Sequence, residues 1–506
     1  MCSVYYAPDN NPINEVKTRN KPPSSTQEKM PVKTERIRSI GHERSEAMGR
    51  DSVWTLLLRF SGPAVIAAVV SASYNLVDAI FVGYLGTEAL AALSISNPLM
   101  TIYWSIGVGI GVGATSLIAR RLGSGVKEEA NRTAGNSITL FFMASAAATA
   151  VFVMNLETLL RLFGADDSVL PLAKSYMFVE TIFIPLNFIL ILLAELVRVQ
   201  GNPNVASAGM ITSGLMNCIF DPILMWGFGP FPAFGIAGAA IATSVGRSIG
   251  ACILLLFLAS GKSAYRLKLS HFLLDLKIVS EIYRVGISVT VRTNAMSLSQ
   301  IIAARAASSF GVIPLAVLGV LFRTASFAFM PCVGVSQGIL PLIGYNFGAQ
   351  MKDRVGEVVI KASFFGLMWG ALCWAIAMTI PTQIMSLFST EPDFLSEATP
   401  AFSIYALSFF VVGLQIILGA FFQGIGKGLL SLLVASSRQL IFLIPCLLIM
   451  PSAFGLIGVW AAHPVADALS LVFTLILVRI AFQGLDIPFR LRYDQTAGAT
   501  RNRGNA

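Results

Sequence analysis

Two aspartates stand inside long apolar stretches, each a short step after an asparagine: Asn75-Leu-Val-Asp78 and Asn217-Cys-Ile-Phe-Asp221-Pro222. A carboxylate near the centre of a bilayer costs roughly 2.5–3.5 kcal/mol on insertion scales, so such residues are rare and mark ion or proton paths. A hard cation prefers carboxylate, amide and hydroxyl oxygens. Two carboxylates that meet repel, and a shared proton or cation relieves that repulsion. The other reading is a polar cluster that only ties helices together, because intramembrane hydrogen bonds contribute on the order of 0.6–2 kcal/mol. Pro222 follows Asp221 directly, removes a backbone donor and frees a carbonyl beside the carboxylate, so a bend is expected there.

The elements that hold these residues are read from composition. The chain has 506 residues, 55% hydrophobic and 12% charged. A soluble domain carries about 25% charged residues. The expected fold is an all-α polytopic membrane protein with about twelve transmembrane helices, from 54–80 to 456–481. The alternation that a barrel would need is absent. Lys and Arg crowd alternate connections, at Arg120, Arg121, Lys127 and Arg132, at Lys262, Arg266 and Lys268, and at Lys352 and Arg354. Arg161 is the exception on the other side. This asymmetry predicts an integral protein of the cell (inner) membrane with both termini cytoplasmic. Basic residues beside spans argue against nucleic-acid binding as the source of the net charge of +9. The six cysteines have no paired spacing and read as packing residues.

The halves repeat. Gly109-Ile-Gly-Val-Gly113 recurs as Gly334-Val-Ser-Gln-Gly338, Gln200-Gly201 as Gln423-Gly424, and Ala233-Phe-Gly-Ile-Ala-Gly238 as Ala453-Phe-Gly-Leu-Ile-Gly458. Two six-helix bundles related by a parallel repeat follow, with a substrate cavity between them. The expected divisions are a disordered cytoplasmic tail at 1–51, a bundle at 52–260, a cytoplasmic connection at 261–279, a bundle at 280–484, and a tail at 485–506. Met48 stands as an alternative start.

The motifs resemble the multidrug and toxic compound extrusion (MATE) family, in its DinF- or MepA-like branch. The likeness runs through Gly62-Pro63, Asn75-x-x-Asp78-x-x-Phe81-Val82-Gly83, the ladder ending at Ala119-Arg120-Arg121-Leu122-Gly123, Asn217-x-x-x-Asp221-Pro222, Gly235-Ile-Ala-Gly238 through Thr243, and Pro341-x-x-Gly344-Tyr345-Asn346. It covers about residues 52–485. The resemblance implies twelve helices in two bundles and antiport of organic, cationic or amphipathic compounds against H⁺ or Na⁺. Carried over by position, it implies a coupling cluster of Asp78, Asn217, Asp221 and Thr243, which would also be the site of Na⁺ if that is the ion. No other cofactor is implied, and the expected partners are small-molecule substrates and the bilayer around a monomer.

Further residues remain open. Asn75, Glu180 and Gln300 are possible additions to the coupling site; Glu180 would extend the acidic cluster, contact a cation, or pack as a neutral carboxyl. Met100, Tyr103, Met330 and Arg292 are candidate cavity residues. The seventh span has Arg292, Asn294 and Gln300 where some branches carry an acid, which speaks against a second cation site there. Arg247, Arg292, Arg305 and Arg323 would neutralise acids, snorkel, or bind an anionic group. His463 and Asp467 in the last span are weaker candidates. The chain lacks a second histidine after His42-Glu43 and a phosphate loop after its glycine ladder, so an enzyme is not expected. The rival readings are a lipid-linked saccharide flippase of the same superfamily and a non-coupled channel or membrane sensor.

Overall fold

The computed structural model describes residues 43–260 and 262–488, and no strand occurs among them. Besides the short helices at 43–50, Leu269–Phe272 and Pro381–Ser386, twelve long helical units follow in order among the described residues. They are α1 (Val53–Tyr84), α2 (Thr87–Gly123), α3 (Lys127–Leu162), and α4, in two arms (Leu170–Ile182 and Ile184–Val199). Next come α5 (Pro203–Trp226), α6 (Ile236–Ala259), α7 (Leu276–Ser308), α8 (Val312–Gly348) and α9 (Lys352–Thr379). The last are α10, also in two arms (Pro392–Ala406 and Phe409–Gly424), α11 (Gly428–Phe454) and α12 (Leu456–Gly484). Nine of these are long and apolar enough to cross a membrane, and eleven if each bent pair counts as one span. The twelfth unit, α7, is 33 residues long. At 1.5 Å per residue its length suffices, but Lys277, Glu281, Arg284, Arg292 and Arg305 lower its hydropathy.

The repeat is visible in backbone shape. α2 and α8 both have 37 residues. α4 and α10 both break in the middle, with bends of 51° and 46°. Gly86 and Gly311 precede α2 and α8 with φ of 118° and 129°. Gly235 and Gly455 cap α6 and α12 with φ of 57° and 62°. Such positive φ values favour glycine. Gly201 ends α4 with φ of 94°, and its counterpart in shape is Gly426, with φ of 72°. The sequence pairing of Gly201 with Gly424 is therefore two residues out of register. Gly424 is a buried helical residue packed on Ile343 instead.

The glycine ladders form the seam between the halves. A side chain at Gly113 would overlap the carbonyl oxygen of Ile282, one at Gly123 that of Tyr345, and one at Gly348 that of Arg120. α2 thus lies directly on α7 and α8, and Gly334 and Gly338 bring α8 against Val65 and Ser61 of α1. Side-chain bonds cross the same seam, as Thr290 and Asn294 of α7 donate to Ser105 of α2 at 3.0 and 2.8 Å. These contacts occupy the helix halves nearest the basic connections. At the other end the core divides. One apolar cluster fills α1–α6 and runs across the seam. A second, from Ala303 to Ala466, belongs to α7–α12 alone.

One expectation changes at the margins. The tail expected over 1–51 is structured from residue 43, since residues 43–50 are helical. Burial of Met48 drives this, with its carbonyl accepting from Asn346 at 3.1 Å and from Arg354 at 3.3 Å. The rest of that tail, and the C-terminal tail beyond residue 488, lie outside the described residues. Arg161, the exception to the charge asymmetry, is paired with Asp167 at 2.9 Å and Glu157 at 3.3 Å.

Candidate coupling site

Small residues bring three helices together around the Asn-Asp pair. Gly246 of α6 lies against Ser213 and Asn217 of α5, where any larger residue would strike the backbone. Gly214 of α5 leaves room for the Tyr74 ring of α1. Asn217 and Asp221 are one turn apart on the same face of α5. The Asn217 amide donates to Asp221 Oδ1 at 3.0 Å and to Thr243 Oγ1 at 3.1 Å. Asp221 is fully buried and α5 continues as a helix through Pro222. Asp78, half-buried on α1, lies within electrostatic reach of Asp221.

Three oxygens at this junction have no hydrogen-bond partner although they are buried: Asp78 Oδ1, Asn217 Oδ1 and Asp221 Oδ2. Buried acceptors are almost always satisfied. A donor set of carboxylate and amide oxygens fits a hard cation, and a proton on either carboxyl would serve the same need.

One turn along α6 from Thr243 stands Arg247, and it links this junction to a second group. Its guanidinium lies 3.8 Å from Glu180 Oε2 and 4.6 Å over the Trp104 ring, and Tyr74 is within its electrostatic reach. Glu180 is fully buried at the end of the first arm of α4. It accepts from Tyr103 at 3.1 Å and Asn187 at 3.2 Å. Glu180 and Arg247 both lie within electrostatic reach of Asp78. Asp78, Asp221, Glu180 and Arg247 thus form one electrostatic group inside α1–α6, apart from the buried Glu195–Arg198 pair on the second arm of α4.

The MatE family profile matches residues 63–223 and 290–448, one stretch in each half. The chain belongs to this family. Two matches of one profile, 227 residues apart at their starts (290 − 63) and 225 at their ends (448 − 223), also express the internal repeat. Among MatE relatives, the multidrug export protein MepA of Staphylococcus aureus is 25% identical over 436 residues, 85% of this chain and 94% of that protein. MepA of Staphylococcus haemolyticus is 24% identical over 412 residues, 81% and 89% of the two chains. The crystal structure of a MATE protein in a bent conformation superposes with a TM-score of 0.82 at 24% identity, covering 88% of this chain and 98% of that one.

Within the MatE fold the expected site residues separate. Asp78, Asn217, Asp221 and Thr243 come together, and Glu180 joins them through Arg247. Asn75 is exposed and Gln300 is half-buried. Tyr103, expected in the cavity, is buried beneath Glu180 instead, because its hydroxyl has a carboxylate to satisfy. Met100 and Met330 are half-buried, and the Tyr176 hydroxyl contacts the Met100 sulfur at 3.7 Å. Arg292, Arg305 and Arg323 are exposed. Sequence reading left out Tyr74 and, having allowed Arg247 to neutralise an acid, named no partner for it. Helical spacing carried the signal: Tyr74 is four residues before Asp78, and Arg247 is four after Thr243.

Proposed function

We propose that this protein is a secondary active exporter of organic compounds, cationic or amphipathic, driven by antiport of H⁺ or Na⁺. The observation that supports it is the set of three unsatisfied buried oxygens on Asp78, Asn217 and Asp221. The relatives named for multidrug export support the substrate class. Asp78 and Asp221 carry the exchanged cation, and Asn217 and Thr243 assist as neutral ligands. The lysine and arginine asymmetry assigns the basic side, and both termini, to the cytoplasm of the inner membrane. The seam then closes the cytoplasmic side, and the divided core faces outward.

In this arrangement, a proton or Na⁺ arriving from outside neutralises the carboxylates and satisfies the free oxygens. Its affinity differs between the outward and inward states, and that difference is the only means by which it shifts their populations. Substrate leaves when the α1–α5–α6 junction repacks around the loaded acids. The proposed working unit is a monomer, since every residue of the coupling site belongs to α1–α6 of one chain.

The test is efflux of an organic cation from proteoliposomes under separately imposed Na⁺ and pH gradients. One gradient should drive efflux and the other should not. Asp221→Asn should fold normally and reduce gradient-driven efflux by about a hundred-fold, as expected for a lost charged partner in a buried site. Undiminished efflux from this variant would refute the assignment.

A further inference from the structure

The second half of the molecule contains a polar cluster that the coupling site does not use. Arg438 lies in a π-helical turn of α11, Ser437–Leu443. Such turns are rare and recur at functional sites. Arg438 donates to both oxygens of Asp467 on α12, at 2.6 and 3.3 Å. The Asp467 backbone carbonyl accepts from Gln415 of α10 at 2.8 Å. Gln415 Oε1 and His463 Nε2, both buried beside this pair, have no hydrogen-bond partner.

Arg292 of α7 completes the group. Ser299, two turns further along the same face, donates to Gln439 at 2.8 Å, so this face of α7 looks onto the turn that bears Arg438. Arg292 and Arg438 are within electrostatic reach of each other. Arg292 is exposed at the protein surface, and no described carboxylate, hydrogen bond or ring pairs with it. Arg292 thus lies near an Arg438–Asp467 pair whose carboxylate oxygens are both engaged by Arg438, which leaves the Arg292 charge without a described partner in a membrane-length helix. A charge in that setting is expected to find a counter-ion.

The repeat sharpens the contrast. Gly235 and Gly455 fix the register of α6 and α12, 220 residues apart (455 − 235). That register puts Asp467 where the first half has Arg247, and His463 where it has Thr243. Gly86 and Gly311, 225 apart (311 − 86), put Ala303 where the first half has Asp78. Where the first half has Asp78 and Arg247, the second has Ala303 and Asp467, and that carboxylate is paired with Arg438.

We infer that Arg292, held beside the Arg438–Asp467 pair, is a recognition subsite for the carboxylate of an amphoteric substrate. The inference rests on the export reading and assigns part of its specificity. Arg438 is a positioning residue, and Arg292 is the group that meets the substrate.

The test uses rhodamine B, a zwitterion with a free carboxylate, and its ethyl ester, a monocation. Equilibrium binding of each dye to the purified full-length protein in detergent gives a ratio of dissociation constants. Arg292→Gln should raise the zwitterion-to-ester ratio about ten-fold, the loss expected for one charge-assisted hydrogen bond. Arg292→Lys, which keeps the charge, should restore most of the wild-type ratio. An unchanged ratio in Arg292→Gln overturns the subsite while leaving the export reading intact. If the wild type binds and exports neither dye, the two fall together. Phosphatidylglycerol added to the micelles tests the other source of an oxyanion. Displacement of rhodamine B by this lipid from wild type, but not from Arg292→Gln, would assign the subsite to lipid phosphate and overturn the inference.

Discussion

Arg247 shows how one side chain couples two groups of acids. It pairs with Glu180, covers Trp104, and lies within electrostatic reach of Tyr74 and Asp78. Removing one member of a buried ion pair leaves the other charge uncompensated, at a cost of roughly 3–5 kcal/mol. Arg247→Gln should therefore lower the melting temperature of the detergent-solubilised protein well below wild type. The double variant Arg247→Gln/Glu180→Gln should recover most of that loss, because no charge is left alone. A double variant no more stable than Arg247→Gln alone would mean that the pair contributes nothing. The acids themselves were legible as rare carboxylates in apolar runs. The partners were not, because a tyrosine, a tryptophan or an arginine in a span has many ordinary reasons to be there. Only the fourth-residue spacing to Asp78 and Thr243 set Tyr74 and Arg247 apart.

At the level of elements, the glycine ladder decides which helices can meet. Gly113 of α2 lies against the backbone of Ile282 on α7, and Gly109 lies against Gly286. Gly113→Val should wedge the seam and disfavour the closed basic side. A cysteine introduced at Ser116, which donates to the Gln423 carbonyl across that seam, should then react faster with a membrane-impermeant maleimide from the basic side of inverted vesicles. The expected gain is about ten-fold, equivalent to a shift of about 1.4 kcal/mol in the open–closed balance. Labelling at the wild-type rate would show that α2 and α7 adjust without parting. The ladder was readable as a repeat, since glycine spacing survives in sequence. Its role as the seam was not, because close packing within one half gives the same pattern. The bend in α4 is explained locally by Pro185 at the start of its second arm. The register slip at Gly424 arose because a short Gln-Gly match carries less information than the positive φ shared by Gly201 and Gly426.

At the scale of the whole molecule, helix number, repeat and membrane character followed from hydropathy and offset matching. α7 is the informative departure. It falls short of the other spans in apolarity because it runs between the halves, with Arg284 packed against Gly428 and Arg292 open beside the Arg438 turn. The exchange of arginine for aspartate between the equivalent positions Arg247 and Asp467 was hidden from the sequence for a related reason. Charges on single helices mean little until the repeat is registered on backbone shape, and only then do Arg247 and Asp467 fall on equivalent positions. The helical residues 43–50 were also out of reach, since a short polar segment looks like any tail. Arg44 there hydrogen-bonds Asn202 at the start of α5, whereas the Met48 carbonyl is gripped by Asn346 and Arg354 of the opposite half. This short segment is a clasp fastened to both halves at once. In the proposed transport cycle, parting the halves on that face would require unfastening one end, so those few hydrogen bonds would help to set how readily the halves part there.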